Sequence, residues 1–183
     1  VSGGVLSTAG ILASCKSTTA STVNAAFEED AALVTGGAQF EAMGIKTYEV
    51  AAASGLLTDQ AVIDTAIAYM NDHIGHLNAL NGLLKAFDFD EVDPTNADPD
   101  PGVGSVENQT DVINLALGVE FQAATFYFSG IVNQIQSVEA RRVFANILPV
   151  ETAHFTFYKN VLGYTPAINS PIFENLTSGL DIT

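Results

Sequence analysis

The chain of 183 residues has a single cysteine, Cys15, no tryptophan, three histidines, and only six Lys+Arg against 21 Asp+Glu, a formal charge of −15. Each scarcity excludes something. One cysteine closes no disulfide within a monomer, and Cys15 has no nearby base to make it a nucleophile. Six dispersed cations cannot build the clustered basic surface that phosphate binding requires. Nucleic acid is therefore excluded as a partner, and anionic membrane surfaces are disfavoured on the same ground. No run reaches the ~18 uninterrupted apolar residues of a transmembrane helix, so no membrane span is expected. What the chain has is apolar mass. Apolar residues make up 48%, with 11 Phe and 5 Tyr, and the charged fraction of 15% is too low for disorder. The length fits one domain, or a domain with an extension. The acidic excess reads either as the solvated surface of a secreted or salt-exposed protein or as a means of attracting cations, and charge alone does not choose.

Residues 1–21 are Gly, Ser, Thr, Ala and small aliphatics with one Lys and no acid. They read like the apolar half of an export signal. Leu12-Ala13-Ser14-Cys15 resembles a bacterial lipobox, in which Cys15 carries a lipid anchor only if residues 1–14 are cleaved. If retained, Val1, Val5, Leu6, Ile11 and Leu12 suit an extended strand. Such an apolar arm would lie on a neighbouring subunit and hold together a homo-oligomer, or a filament linked through residues 1–20. Deleting residues 1–20 would then change the oligomeric state. On either reading the expected location is extracytoplasmic: secreted, periplasmic or cell surface.

From Thr22 the spacing is helical. Val23, Phe27, Ala31, Val34, Phe40, Met43, Ile45 and Val50 mark residues 22–53, with Gly36-Gly37 expected to break a short leading helix from a longer one. A second helix is predicted from an N-cap at Thr58 to about Phe87. Residues 88–106 lose all periodicity and gather Asp88, Asp90, Glu91, Asp93, Asp98 and Asp100 with Pro94, Pro99 and Pro101. This is predicted to be a long crossover loop. It lacks EF-hand spacing and reads as a solvated linker or, less well, a weak calcium site. Asp111 is expected to cap a third helix running to about Ile135. A fourth follows from Val138 to Leu162, closed by Gly163 and kinked by Pro149. Residues 164–183 form a tail expected to wrap the bundle. The expected organisation is thus an arm or signal at 1–21, a four-helix bundle at 22–163 and a tail at 164–183.

The two helical pairs repeat one another. Glu41 precedes Tyr48 by seven residues, as Glu120 precedes Tyr127, at an offset of 79. His73-Ile-Gly-His76 and Glu151-Thr-Ala-His154 stand at an offset of 78. Positions i and i+3 share a helix face, so His73 converges with His76 and Glu151 with His154. A bundle of two such pairs turns Glu41, Glu120 and both i, i+3 pairs toward one interior. Carboxylates and imidazoles buried together are costly unless cations or a proton network satisfy them.

One Glu followed by an ExxH-like pair, given twice, resembles the ferritin-like superfamily. The stretch Asp111–Tyr127 with Glu151-Thr-Ala-His154 is similar to its desiccation-related and stress-response branch. The resemblance covers roughly residues 38–163. It implies an all-α ferritin-like four-helix bundle with one long crossover. It also implies metal ligands at Glu41, His76, Glu120, Glu151 and His154, holding one or two divalent transition metals (Fe, Mn or Zn). His73 departs from the pattern, standing where the family has a bridging Glu. A neutral imidazole removes a bidentate anionic bridge, which favours a mononuclear or rearranged site. Asp72 sits about 100° away around the helix. His73 and His76 read equally as satisfied core residues, and Tyr48 and Tyr127 either hydrogen-bond the carboxylates or pack between helices.

Two functions of different class follow. One is metal-dependent redox protection or metal binding. The other is a structural subunit of an extracellular filament or surface assembly in which any metal site is vestigial. No substrate pocket is legible, and a fold does not itself imply a reaction.

Overall fold

The protein, described for residues 20–164 in a computed structural model, is all-α, with four helices packed as a bundle. The arm with Cys15 and nearly all of the tail lie outside the described residues. Helix α1 spans Ala20–Ala53, α2 Gln60–Ala86, α3 Gln109–Ser129 and α4 Val138–Val161. Helix α1 packs chiefly on α2, and α3 on α4.

Local chemistry sets the ends. Asp59, not Thr58, is the N-cap of α2, its carboxylate accepting the Ala61 N–H. Asn108, not Asp111, caps α3 and accepts the Asp111 N–H, while Asp111 at the third helical position accepts the Glu107 N–H. In both cases the expected cap is one to three residues off, because Ser, Thr, Asp and Asn are near-equal competitors for the position. Helix α4 ends in a Schellman turn. Gly163 adopts φ +77°, its N–H bonds to the Asn160 carbonyl, and the Tyr164 N–H bonds to the Lys159 carbonyl.

One expectation about helix interiors fails. Helix α1 runs unbroken through Gly36-Gly37. A Cβ on Gly37 would lie 3.3 Å from the Phe126 ring and 3.6 Å from Leu80 and Tyr127, so the pair admits close packing from the neighbouring helices. Tertiary contact outweighs the helix-breaking tendency of about 1 kcal/mol per glycine. Helix α4, in which a kink is expected at Pro149, stays helical through that residue. Pro149 and Ala145, whose carbonyl loses its partner, are both exposed, so water can take that bond.

Helix α3 ends in one π-helical turn, Gly130–Gln134. The stretch Gln109–Gln134 is long and apolar enough, by length and composition, to cross a membrane. That contrasts with the expected lack of a span. In the bundle part of its apolar surface is packed: Val112, Ile113, Val119, Ala123, Ala124 and Tyr127 are buried, while Val132 is exposed. At the turn beyond it, Asp30 of α1 is 2% exposed and accepts the backbone N–H groups of Gln136 at 2.9 Å and Ser137 at 2.7 Å. Replacing Asp30 with Ala is expected to lower unfolding free energy by about 1.5–3 kcal/mol, because two donors lose a charged acceptor. Urea denaturation measures this, and an unchanged midpoint would mean that water substitutes for the carboxylate.

The connection between α2 and α3 is long for a geometric reason. The pairings Tyr48–Glu120 and Glu41–Tyr127 make α1 antiparallel to α3, and Asp72–His154 with His76–Glu151 make α2 antiparallel to α4, which leaves α2 and α3 parallel. The chain must therefore climb back along the bundle, about 40 Å at 1.5 Å per residue of α2. Side chains pin this crossover. Asn81 exchanges two hydrogen bonds with the Val92 backbone, and the Thr47 hydroxyl accepts the Asp100 N–H at 2.7 Å. Asp93 and Asp100 cap short 3₁₀ turns at Pro94–Asn96 and Pro101–Ser105.

Candidate metal centre

All six predicted residues converge in the middle of the bundle. Glu41 comes from α1, His73 and His76 from α2, Glu120 from α3, and Glu151 and His154 from α4. Glu41, His73, Glu120 and Glu151 are 0% exposed and His154 2%. The His76 side chain alone keeps some exposure, 12%. On α1, Gly44 gives the His73 ring a bare stretch of backbone, where a Cβ would touch the ring at 3.5 Å.

The two tyrosines bond crosswise. Tyr48 of α1 donates to Glu120 Oε1 of α3 at 2.5 Å, and Tyr127 of α3 donates to Glu41 Oε1 of α1. Seven residues of helix rise about 10.5 Å, so neither tyrosine can serve the carboxylate on its own helix, and antiparallel neighbours serve each other. Tyr48 also bonds the Tyr158 hydroxyl at 3.0 Å. Burial and the adjacent carboxylates raise the Tyr48 and Tyr127 hydroxyls well above their ordinary pKa, so both remain protonated donors.

His73 lies between the two tyrosine-held carboxylates. Its Nδ1 is 2.7 Å from Glu41 Oε2 and its Nε2 3.3 Å from Glu120 Oε1. His154 Nδ1 faces Glu120 Oε2 at 3.3 Å, and its Nε2 reaches Asp72 Oδ2 at 3.1 Å. Asp72, placed off the interior face by helix geometry, thus acts from outside. It accepts the outer N–H of His154 and directs the inner nitrogen to the cluster, the arrangement common behind ligating histidines. The Tyr69 ring stacks on His154 with centroids 3.7 Å apart. Sequence reading missed Tyr69 and Tyr158. The available signal was spacing, since Tyr69 lies four residues before His73 and Tyr158 four after His154, on the same helix faces.

Electrostatics divide the three carboxyls. Burial alone would raise Glu41 and Glu120, but the histidines around them hold both below the ordinary carboxylate value. Glu151 is raised, because burial dominates. For the histidines burial works downward and loses. The charge and hydrogen bond of Glu120, with those of Glu41, lift His73 well above its usual value. The close approach of Glu151 and Glu41 lifts His76, and that of Glu120 and Glu151 lifts His154, each to about 9.

One contact does not close as a hydrogen bond. His76 Nδ1 and Glu151 Oε1 are 2.6 Å apart, yet His76 Nδ1 and both Glu151 oxygens are buried with no hydrogen-bond partner. The distance says the atoms are close, and the missing alignment says that they are not bonded to each other. Buried polar atoms left unpaired cost free energy, and a cation between them removes that cost. Two overlapping sets of ligand atoms, each within 4.8 Å of one another, have this capacity: Glu41, His73, His76 and Glu151, and His73, Glu120, Glu151 and His154. The residues present therefore fit a metal ion.

The sequence model for the ferritin-like domain matches residues 55–164, more than half of the chain. The chain belongs to the ferritin-like domain family. Comparison with curated proteins and with solved structures gives no match. The matched range of this ferritin-like domain takes in α2, α3 and α4 and stops short of α1. Glu41 and Tyr48 join the cluster through the fold alone.

Proposed function

We propose that this ferritin-like domain binds divalent transition metal within the cluster of Glu41, His73, His76, Glu120, Glu151 and His154, and works in metal-dependent redox protection or metal binding outside the cytoplasm, within the desiccation-related branch. The observation that carries the metal reading is the unpartnered His76 Nδ1 and Glu151 carboxylate within a largely buried His/Glu cluster. Three carboxylates with three imidazoles form the mixed O/N donor set that suits Fe, Mn or Zn. Export and the branch rest on the composition of residues 1–21 and on the Asp111–Tyr127 resemblance.

A bound transition ion supplies Lewis acidity or single-electron chemistry. The chain's own residues orient and insulate. Tyr48 and Tyr127 each hold one carboxylate oxygen of Glu120 and Glu41. Asp72 fixes the His154 tautomer. Leu77 and Leu80, 3% and 0% exposed, belong to the apolar core that limits water around His73 and His76.

Elemental analysis of protein purified without chelators tests the reading. At least one equivalent of transition metal per chain is expected, with chelation lowering Tm and re-addition restoring it. A folded, metal-free protein that takes up no added Zn(II), Mn(II) or Fe(II) would overturn it.

A further inference from the structure

The two halves of the cluster are chemically unequal. In the half built on Glu120 every polar atom is engaged. Glu120 Oε1 takes the Tyr48 hydroxyl and faces His73 Nε2, its Oε2 faces His154 Nδ1, and His154 Nε2 meets Asp72. In the half built on Glu41, the tyrosine and His73 contacts satisfy Glu41, but His76 Nδ1 and both oxygens of Glu151 have no partner. His76 is also the one member with an exposed edge. Room for a cation and access to it fall in the same half.

His73 causes the asymmetry. A carboxylate at this position would have no hydrogen to give and would set a third negative group against Glu41 and Glu120, which only ions on both sides would offset. The imidazole instead spans the gap, one ring nitrogen to each carboxylate.

We infer that the centre takes a single ion, held by Glu41, His76 and Glu151, and that His73 fills the place of a second ion by tying Glu41 to Glu120 through its two ring nitrogens. Glu151 is the main anionic ligand, because neither of its oxygens is committed elsewhere. Glu41 Oε2, 3.5 Å from His76 Nδ1, completes the set. His154 and Asp72 belong to a closed hydrogen-bonded half and act as support.

This inference rests on the metal reading above, and titration of metal-free protein with Co(II) separates the two. One equivalent per chain is expected, read by calorimetry and by the visible Co(II) bands. His76→Ala, or His76→Gln if the alanine variant does not fold, should weaken Co(II) binding at least tenfold. His154→Gln should keep one equivalent and weaken binding far less than the His76 variants. His73→Glu should raise the stoichiometry to two. Two equivalents in the unaltered protein, or equal losses from the His76 and His154 variants, would overturn the single-ion inference and leave metal binding standing. No Co(II) uptake at all would overturn both. Far-UV circular dichroism of each variant reports whether the bundle is retained.

Discussion

Replacing Glu120 with Ala in the metal-free protein is expected to reduce unfolding free energy by about 3–5 kcal/mol, the usual cost of deleting one partner of a buried ion pair. Glu120 is fully buried and faces Tyr48, His73 and His154. Its removal strands a phenol and two imidazoles in a dry interior and opens a cavity. Glu120→Gln keeps the volume and one carbonyl acceptor, so a smaller loss is expected from it. The difference between the two variants isolates the charge from the packing. Urea denaturation of both, at neutral pH with chelator present, measures it. A loss under about 1 kcal/mol for Glu120→Ala would mean that the histidines are neutral and the pairing adds little.

The second large effect is on pH. His76 and His154 move from an ordinary 6.5 to about 9 in the folded protein, so the folded state binds more protons than the unfolded one between these values. Their stabilising contribution is complete below about 6.5 and is lost as pH rises through about 9. His73, also raised, acts in the same sense, and Glu151, raised from 4.5, likewise loses its contribution as pH rises above that value. Glu41 and Glu120 behave in the opposite sense. Their lowered pKa values stabilise above about 4.5, and that contribution disappears in acid. Metal-free protein should therefore be most stable near pH 5–6.5 and lose on the order of a few kcal/mol by pH 9, about 2–4 °C of Tm for each kcal/mol. A ligating imidazole must be unprotonated, so an ion gains affinity over the same window. The Tm gap between metal-loaded and metal-free protein should widen from pH 6 to pH 9. A metal-free Tm that stays flat across this range would show that the histidines carry no folded-state protons.

Much of the centre was legible because it is duplicated. Glu41 with Tyr48 and Glu120 with Tyr127 share one offset, and His73/His76 and Glu151/His154 share another, so helical geometry alone turned six donors and two phenols inward. What stayed hidden depends on more than one helix. Asp72 points off the interior face of α2, yet it reaches His154 because α4 brings that ring to it. Whether Tyr48 would bond or merely pack was settled by the antiparallel approach of α1 and α3, which no spacing within one helix encodes. Gly36-Gly37 reads as a break by propensity and is continuous by packing, since the rings that need the space come from α3. The six acids of residues 88–100 account for much of the −15 charge and contribute nothing to the centre.

The crosswise tyrosine bonds also bear on ion selectivity. Three carboxylates bring six oxygens, and two of these, Glu41 Oε1 and Glu120 Oε1, are already occupied by phenols. Four remain, beside three imidazoles. Calcium seeks six to eight oxygens at 2.3–2.6 Å in a yielding cage. Helices α1 and α3, fastened to each other at two points two turns apart, cannot slide or splay to supply them without breaking both bonds. A cradle with few free oxygens and fixed walls would discriminate against hard, large ions such as calcium.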